Sequence, residues 1–284
     1  MLVEDLKKVQ LAQLDLLLEF DRICRLHNIN YYLIGGSALG AVRHSGFIPW
    51  DEDIDVGMYS RDFEHFLEVC NRELNEEYFL QSFETDLAYT GQFAKIRVNN
   101  TTFLEVEPSD ANPKMHHGIF IDIFPLDNIS DNNLFARFQY ALVRFLVSVC
   151  LARNNSPKNP FKRLLKKVYC IPLNSLFSKA KMDELCKKIA SWYNEKGTKR
   201  VTNFFGRYGF NRETLPIEWL GNPSYREFEG HLFPLPERWH EYLTHLYGDY
   251  LELPPESQRG THEIFLVDFK NSFQQLIKTK GVKE

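Results

Sequence analysis

Cysteine is scarce in this chain: Cys24, Cys70, Cys150, Cys170 and Cys186 are the only five in 284 residues. They form no C-x-x-C pair and keep no regular spacing, which predicts reduced, mostly buried thiols rather than a disulfide framework. Long apolar runs are missing too. A bilayer-spanning helix needs roughly 20 apolar residues, and the nearest stretch, Leu134 to Ala152, is interrupted by Arg137 and Arg144. The N-terminal segment carries Glu4, Asp5 and Asp15 and has no small-residue cleavage site, so it does not read as a signal peptide and a cytoplasmic protein is expected. There is no internal repeat and no low-complexity tract. A large excess of either charge is also lacking: 34 Lys and Arg stand against 38 Asp and Glu, net -4, and nothing in that total asks for a nucleic-acid partner.

What is present is the composition of a folded globular protein, with 44% apolar and 25% charged residues. At about 150 residues per domain the length predicts one large domain or two small ones. The charge is unevenly spread. Arg153 to Arg200 holds 13 Lys and Arg against 3 Asp and Glu, and such a block beside an apolar helix is either a solvated face or a contact with anionic lipid.

Periodicity predicts the order of elements. Leu6, Val9, Leu14, Leu17 and Leu18 mark one stripe of an amphipathic helix over the first 28 residues. Tyr31 to Ile34 reads as a strand that runs into Gly35-Gly36-Ser37 and then a helix start. After a loop containing Pro49, Asp53-Ile54-Asp55-Val56 alternates, which places both aspartates on one face of a strand. Ser60 reads as the N-cap of a helix keeping Phe63, Phe66, Leu67, Cys70 and Leu74 in register. Strands follow at 78–81, 93–98, 101–106 and 119–124, giving a mixed sheet of about five strands in an α/β (α+β) fold. From Asn132 to about Trp192 the pattern is helical and basic, with breaks at Asn154 to Pro160 and near Pro172. The tail is rich in aromatics, Gly and Pro, with a helix from Glu237 to Tyr247.

The chemistry concentrates in three acids. Asp53 and Asp55 share a strand face, and Asp122 sits between Ile121 and Ile123 in a core strand. Like charges about 4 Å apart repel by roughly 4 kcal/mol at an effective dielectric near 20, and at neutral pH a divalent cation relieves that cost. Carboxylate oxygens suit Mg²⁺ or Mn²⁺, and Mg²⁺ commonly takes one or two carboxylates plus substrate phosphates. Gly35, Gly36 and Ser37 at a strand-to-helix turn can offer backbone N–H groups to an anion. Arg43, His44, Lys95 and Arg97 are further candidates for phosphate, although Lys95 and Arg97, two apart on a strand, equally fit the sheet's wet face. His116 and His117 point to opposite sides of an extended chain and fit hydrogen-bonding roles better than metal ligation.

The run IGGSALGAVRHSGFIPWDEDIDVGM resembles the signature of the LicD phosphocholine transferases, a branch of the polymerase-beta-type nucleotidyltransferase superfamily. HGIFIDIFPLD from His117 to Asp127 and FEGHLFPLP with EYLTHLYGDYLELPP between Phe228 and Pro255 are similar to that family too. The resemblance implies a nucleotidyltransferase-like core over 1–130 and a helical and irregular extension over 131–284 that shapes the acceptor site. It also implies transfer of phosphocholine from CDP-choline to a hydroxyl of a teichoic acid or other cell-surface glycan, with release of CMP and a divalent metal. Carried over by position, the metal carboxylates fall on Asp53, Asp55 and Asp122, with Asp122 as the base, and Gly36 and Ser37 face the donor phosphate. The spacing from Gly36 to Asp53 is longer than in many nucleotidyltransferases, and Asp51-Glu52 replaces the commoner paired aspartates, so Asp51 is an alternative ligand. Fukutin-type enzymes of the same domain transfer other phospho-alditols, which keeps CDP-glycerol and CDP-ribitol open as donors. From another class, a nucleotide-binding module without turnover is the rival reading. A glycan or lipid-linked acceptor places the expected enzyme at the inner face of the cell membrane. A quaternary ammonium would need aromatic faces around it, and Phe204, Phe205, Tyr208, Phe210 and Trp219 cluster in the tail.

Overall fold

The computed structural model describes residues 3–151, 164, 168, 170–260 and 263–280. The first six cations of the basic block, Arg153 to Lys167, and the break at Asn154 to Pro160 lie outside the described residues.

Helix α1 (Val3–Leu26) buries Val9, Leu16, Leu17, Phe20, Ile23 and Cys24; of the stripe read from the sequence Val9 and Leu17 are buried, and Leu14 and Leu18 pack partly buried against the core. Strand β1 (Tyr32–Leu33) leads into α2 (Gly35–His44). Strand β2 (Asp55–Tyr59) is followed at once by α3 (Ser60–Glu73), whose buried face is Phe63, Phe66, Val69 and Cys70. Ser60 does not cap α3 with its own side chain; its hydroxyl donates instead to the buried Asp127 carboxylate. Then come β3 (Tyr78–Gln81), β4 (Ala94–Val98), β5 (Thr102–Leu104) and the long β6 (Phe120–Ile129). The C-terminal half holds α4 (Asn133–Leu151), α5 (Ile171–Leu176), α6 (Lys179–Ala190), β7 (Arg200–Thr202), α7 (Phe210–Glu213), β8 (Thr214–Pro216), β9 (Ser224–Phe228), β10 (His231–Leu235), α8 (Trp239–Tyr247), β11 (Leu266–Asp268) and α9 (Phe273–Lys280).

The main sheet is mixed and runs β1-β2-β6-β4-β3, with β7 and β8 added beside the far end of β6. β2 and β6 are parallel; the other pairs are antiparallel. To the helical and irregular C-terminal part the structure adds short strands: β7 and β8 extend this sheet, and β9 and β10 form a hairpin. These strands are three to five residues long, too short to show a period of two against turn-rich surroundings.

β6 is the spine of the molecule: nine of its ten residues are buried, and it contacts β2, β4 and β7 along its length. The core around it joins α1, α2, α3 and α8. α4 and α6 pack on each other in a second cluster with Ile129 and Phe204. Among the described residues α4 is the one helix long and apolar enough to cross a membrane. Here its Ala136, Tyr140, Val143, Leu146 and Val149 are buried, and Gln139 donates to the carbonyls of Ile189 and Ala190. All five cysteines are free thiols and four are buried.

Candidate active site

The register of the sheet brings the acids together. Asp55 opens β2 directly opposite Asp122 on β6, and Lys95 on β4 stands opposite Asp122 on its other side. Asp53 lies just ahead of β2 rather than within it, so the two aspartates share one strand face only by extension of its alternation. Ile54 and Val56 point into the core and are fully buried. That anchoring turns Asp53 and Asp55 the other way, onto two cavities that both of them line.

The start of α2 completes this corner. Gly35 has φ +53°, a left-handed conformation that glycine adopts without cost, and its N–H donates to the Tyr242 hydroxyl on α8 at 2.9 Å. A Cβ on Gly36 would stand 2.6 Å from Asp51 Oδ2, so only glycine lets that carboxylate approach the helix start. Ser37 is buried and lines neither cavity. Its Oγ accepts the Asp55 N–H at 2.8 Å, which ties the helix start to β2. The loop ahead of Asp53 is held from below by α1: Gln10 donates to the Asp51 carbonyl at 2.9 Å and Gln13 to the Glu52 carbonyl at 2.7 Å.

The larger cavity, about 410 Å³, is lined by Gly36, Arg43, Trp50, Asp51, Tyr247 and Tyr250 among others. Arg43 donates to the carbonyls of Tyr250 and Glu252 at 2.9 and 3.2 Å, so it also fastens the tail across this opening. The guanidinium of Arg259 lies 4.8 Å from the centre of the Trp50 ring. The smaller cavity, about 260 Å³, is lined by Lys95, Asp122, Glu105 and the rings of Phe93, Phe124, Phe205 and Tyr208. Arg207 and Tyr208 border both. Of the five clustered tail aromatics, Phe205 and Tyr208 reach the site. Phe204 is core, Phe210 packs on Tyr140 and Trp219 on His245.

Electrostatics separate the three acids. Burial, then Asp53, Asp122 and Asp51, push the Asp55 carboxyl well above its ordinary value. Burial raises Asp122 too, but Lys95 pulls it back: Lys95 Nζ donates to Asp122 Oδ1 at 2.5 Å, with both side chains nearly buried. Lys95 also lies 3.4 Å from the centre of the Phe120 ring. Of the three acids, Asp122 is the one with an oxygen already engaged by a cation, its Oδ1 by Lys95. Among the described residues no group of three or more His, Cys, Asp or Glu stands ready to hold a metal. The oxygens that fit a hard cation are those of Asp53 and Asp55, and such a pair suffices for Mg²⁺ completed by substrate phosphates. The mutual repulsion that raises Asp55 is what a bound cation would offset.

Arg97 does not join the site. It is buried one residue pair further along β4, donates to Gln81 Oε1 and the Gly118 carbonyl at 2.5 and 2.6 Å, and stacks on Phe120. Neither Lys95 nor Arg97 is on a wet face. His44 sits beside Arg43 and edge-on to Trp50. His116 Nδ1 accepts the Gly118 N–H and its Nε2 meets Asn99; His117 meets the Asn112 carbonyl. Both are hydrogen-bonded histidines, as their positions suggested.

Burial pushes each of these two imidazoles down to about 4, against roughly 6.5 in an unfolded chain. The unfolded state takes up the two protons first, so their contribution is complete above about pH 6.5 and is lost as the pH falls toward 4. Urea midpoints taken between pH 7 and 4.5 should fall steadily for the parent and less steeply for His117→Gln. Parallel slopes would show that the loss comes from other groups.

Sequence reasoning gave no role to Arg207, Glu105, Tyr242, Tyr247 or Tyr250. A signal was present for the last three, since they lie in EYLTHLYGDYLELPP. Arg207 stands in a short Gly206-Arg207-Tyr208-Gly209 turn, where no periodicity marks it.

A mixed α/β core with paired carboxylates on a strand edge, beside a glycine-started helix and between two cavities, defines a phosphate-transferring enzyme of the nucleotidyltransferase type. Residues 28–140 match the family described as the LicD/FKTN/FKRP nucleotidyltransferase domain. The chain is 32% identical over 263 residues to the lipopolysaccharide cholinephosphotransferase LicD of Haemophilus influenzae, covering 91% of this chain and 96% of that protein. It belongs to the LicD family. Ribitol 5-phosphate transferase FKRP of Homo sapiens is 33% identical over 79 residues, 28% of this chain and 16% of that protein.

Proposed function

We propose that the protein transfers phosphocholine from CDP-choline to a hydroxyl of a cell-surface glycan and releases CMP. The observation that carries this reading is the placement of Asp53 and Asp55, opposite Asp122 and beside the start of α2, where two cavities meet. The larger cavity has the size of a small-molecule site and suits the nucleotide. The smaller one, with five aromatic rings and Glu105, suits a quaternary ammonium held over π faces. The similarity to a cholinephosphotransferase over almost the whole chain favours choline as the transferred alcohol. That relative's lipopolysaccharide substrate also favours a lipopolysaccharide-type glycan over a teichoic acid.

Asp53 and Asp55 would hold Mg²⁺ or Mn²⁺ against the diphosphate, and the bound cation would neutralise charge on the leaving CMP. Gly36 lines the larger cavity at the start of α2 and would face the donor phosphates there, while the Gly35 N–H is held by Tyr242. The acceptor hydroxyl attacks phosphorus in line; the new O–P bond forms as the bond to CMP breaks. Asp122 takes the hydroxyl proton, with Lys95 keeping its carboxylate charged and oriented. Arg207, on the border of both cavities, faces charge that grows on the departing phosphate. Tyr242 and Tyr247 position the helix start and the cavity wall.

The test is release of CMP from CDP-choline, CDP-ribitol and CDP-glycerol with Mg²⁺ and a glycan acceptor. Release from CDP-choline should exceed the others at least tenfold and vanish when EDTA removes the cation. Preferential release from CDP-ribitol would keep the chemistry and overturn the choline assignment; no release from any donor would leave a binding module.

A further inference from the structure

The outer face of α4 is apolar. Leu134, Phe138 and Phe145 recur at the spacing that returns to one side of a helix, and all three are exposed, Leu134 by 76% and Phe138 by 61%. Ala141 and Ser148 fill the same line and are exposed as well. Both arginines of α4 are drawn aside from it. Arg137 donates to Asn211 Oδ1 and lies over the Phe210 ring, and Arg144 donates to the carbonyls of Phe204 and Gly206. We propose that this face of α4 is a membrane-docking surface, which beds into the headgroup region of a bilayer containing anionic lipid and holds the enzyme against it.

Three observations support it. The charge accompanying the face has one sign: from Asn132 to Met182 the sequence holds ten Lys and Arg and no Asp or Glu, in a chain whose total is -4. Six of the ten fall between Leu151, where α4 ends, and Cys170. That stretch starts and finishes beside the last turn of α4, because Asn174 Nδ2 of α5 donates to the Val149 carbonyl at 2.9 Å. Second, α4 is placed to lie along a surface rather than to cross it. Its opposite side, with Tyr140, Val143 and Leu146, is buried in the protein, and an in-plane helix with one apolar face and cations nearby is the form that binds an interface. α5 adds the exposed Ile171 and Leu176, and an apolar patch that extends over two elements marks a contact surface. Third, the bilayer is the occupant that meets both features. Anionic headgroups attract the cations while the acyl boundary takes the phenyl rings. A nucleic acid offers no apolar depth to Leu134 and Phe138, and a second copy related by a two-fold axis would set the same cations against each other. Docking also has a consequence for the site, which rests on the phosphate-transfer reading. Through Arg144 the helix is fastened to the turn carrying Arg207, on the border of both cavities, so a lipid-linked acceptor would be held beside the acids.

The test is co-sedimentation of the full chain with vesicles of phosphatidylcholine, alone and with phosphatidylglycerol added, at low and high salt. Binding to the anionic vesicles should exceed binding to the neutral ones at least about tenfold and weaken as salt screens the headgroups. Phe138→Ser/Phe145→Ser should lower it roughly tenfold per side chain with the melting temperature kept, since both rings are exposed. Lys166→Gln/Lys167→Gln should lower it about twentyfold. Absence of binding to anionic vesicles, equal binding to neutral ones, or parent-like binding by both variants would overturn the proposal. So would a dimer in sedimentation equilibrium that Phe138→Ser/Phe145→Ser dissolves, which would give the face to a second copy. Vesicle binding without CMP release from any donor would uphold the docking and remove only the transfer reading.

Discussion

Asp55→Asn is expected to lower the transfer rate about a thousandfold, the scale on which a preorganised charge at a reacting phosphate acts, while leaving the melting temperature unchanged or higher. The two halves of this result have one cause. Asp55 is half-buried in the company of Asp53, Asp122 and Asp51, all of which disfavour its charge. A neutral isostere removes that repulsion from the folded state and removes a cation ligand at the same stroke. The folding of β2 does not depend on the carboxylate, because its Asp55 N–H is held by Ser37 and its carbonyl by the Ile34 N–H. CMP release gives the first half and thermal melts the second. Calorimetry with Mn²⁺ should show cation binding weakened in parallel. A variant that keeps a tenth of its activity, or that unfolds, would deny Asp55 this role.

Lys95→Met is expected to have the largest effect on stability, about 3–5 kcal/mol, because removal of one partner leaves a buried carboxylate without compensation. Lys95 and Asp122 are joined at 2.5 Å across adjacent strands at the centre of the sheet. The double variant Lys95→Met/Asp122→Leu should recover most of that loss, since well-packed apolar groups often replace a buried pair at no cost. Activity should not return with stability, because the proton acceptor is gone. Urea melts of the two singles and the double form the thermodynamic cycle. A double variant as active as the parent would show that Asp122 serves the sheet alone.

Much of the site was legible in the chain because its residues are neighbours in one short stretch. Gly35-Gly36-Ser37 and Asp53-x-Asp55 lie within 21 residues, and the core-facing Ile54 and Val56 dictate which way the acids turn. Asp122 was legible for the same reason, flanked by Ile121 and Ile123. The likeness of three stretches to the LicD family was visible as well. Lys95 was recognised as a candidate cation, yet its partner was not, because the pairing depends on the register between β4 and β6. One step of slip would turn Lys95 to the other face of the sheet. Arg97 illustrates the converse: two positions along the same strand, it meets Gln81 and Gly118 rather than the cavity.

Local pattern by itself determined the amphipathic helices, the core strands, the glycine turn and the alternation that projects Asp53 and Asp55, since each follows from contacts a few residues apart. Only the tertiary structure decided that Lys95 would hold Asp122, that β7 and β8 would complete the sheet, and that Arg207, Tyr242 and Tyr247 would close around the acids from more than 80 residues away. Those outcomes come from strand register and the packing of distant segments against a common core. Neither leaves a periodic trace in the order of residues.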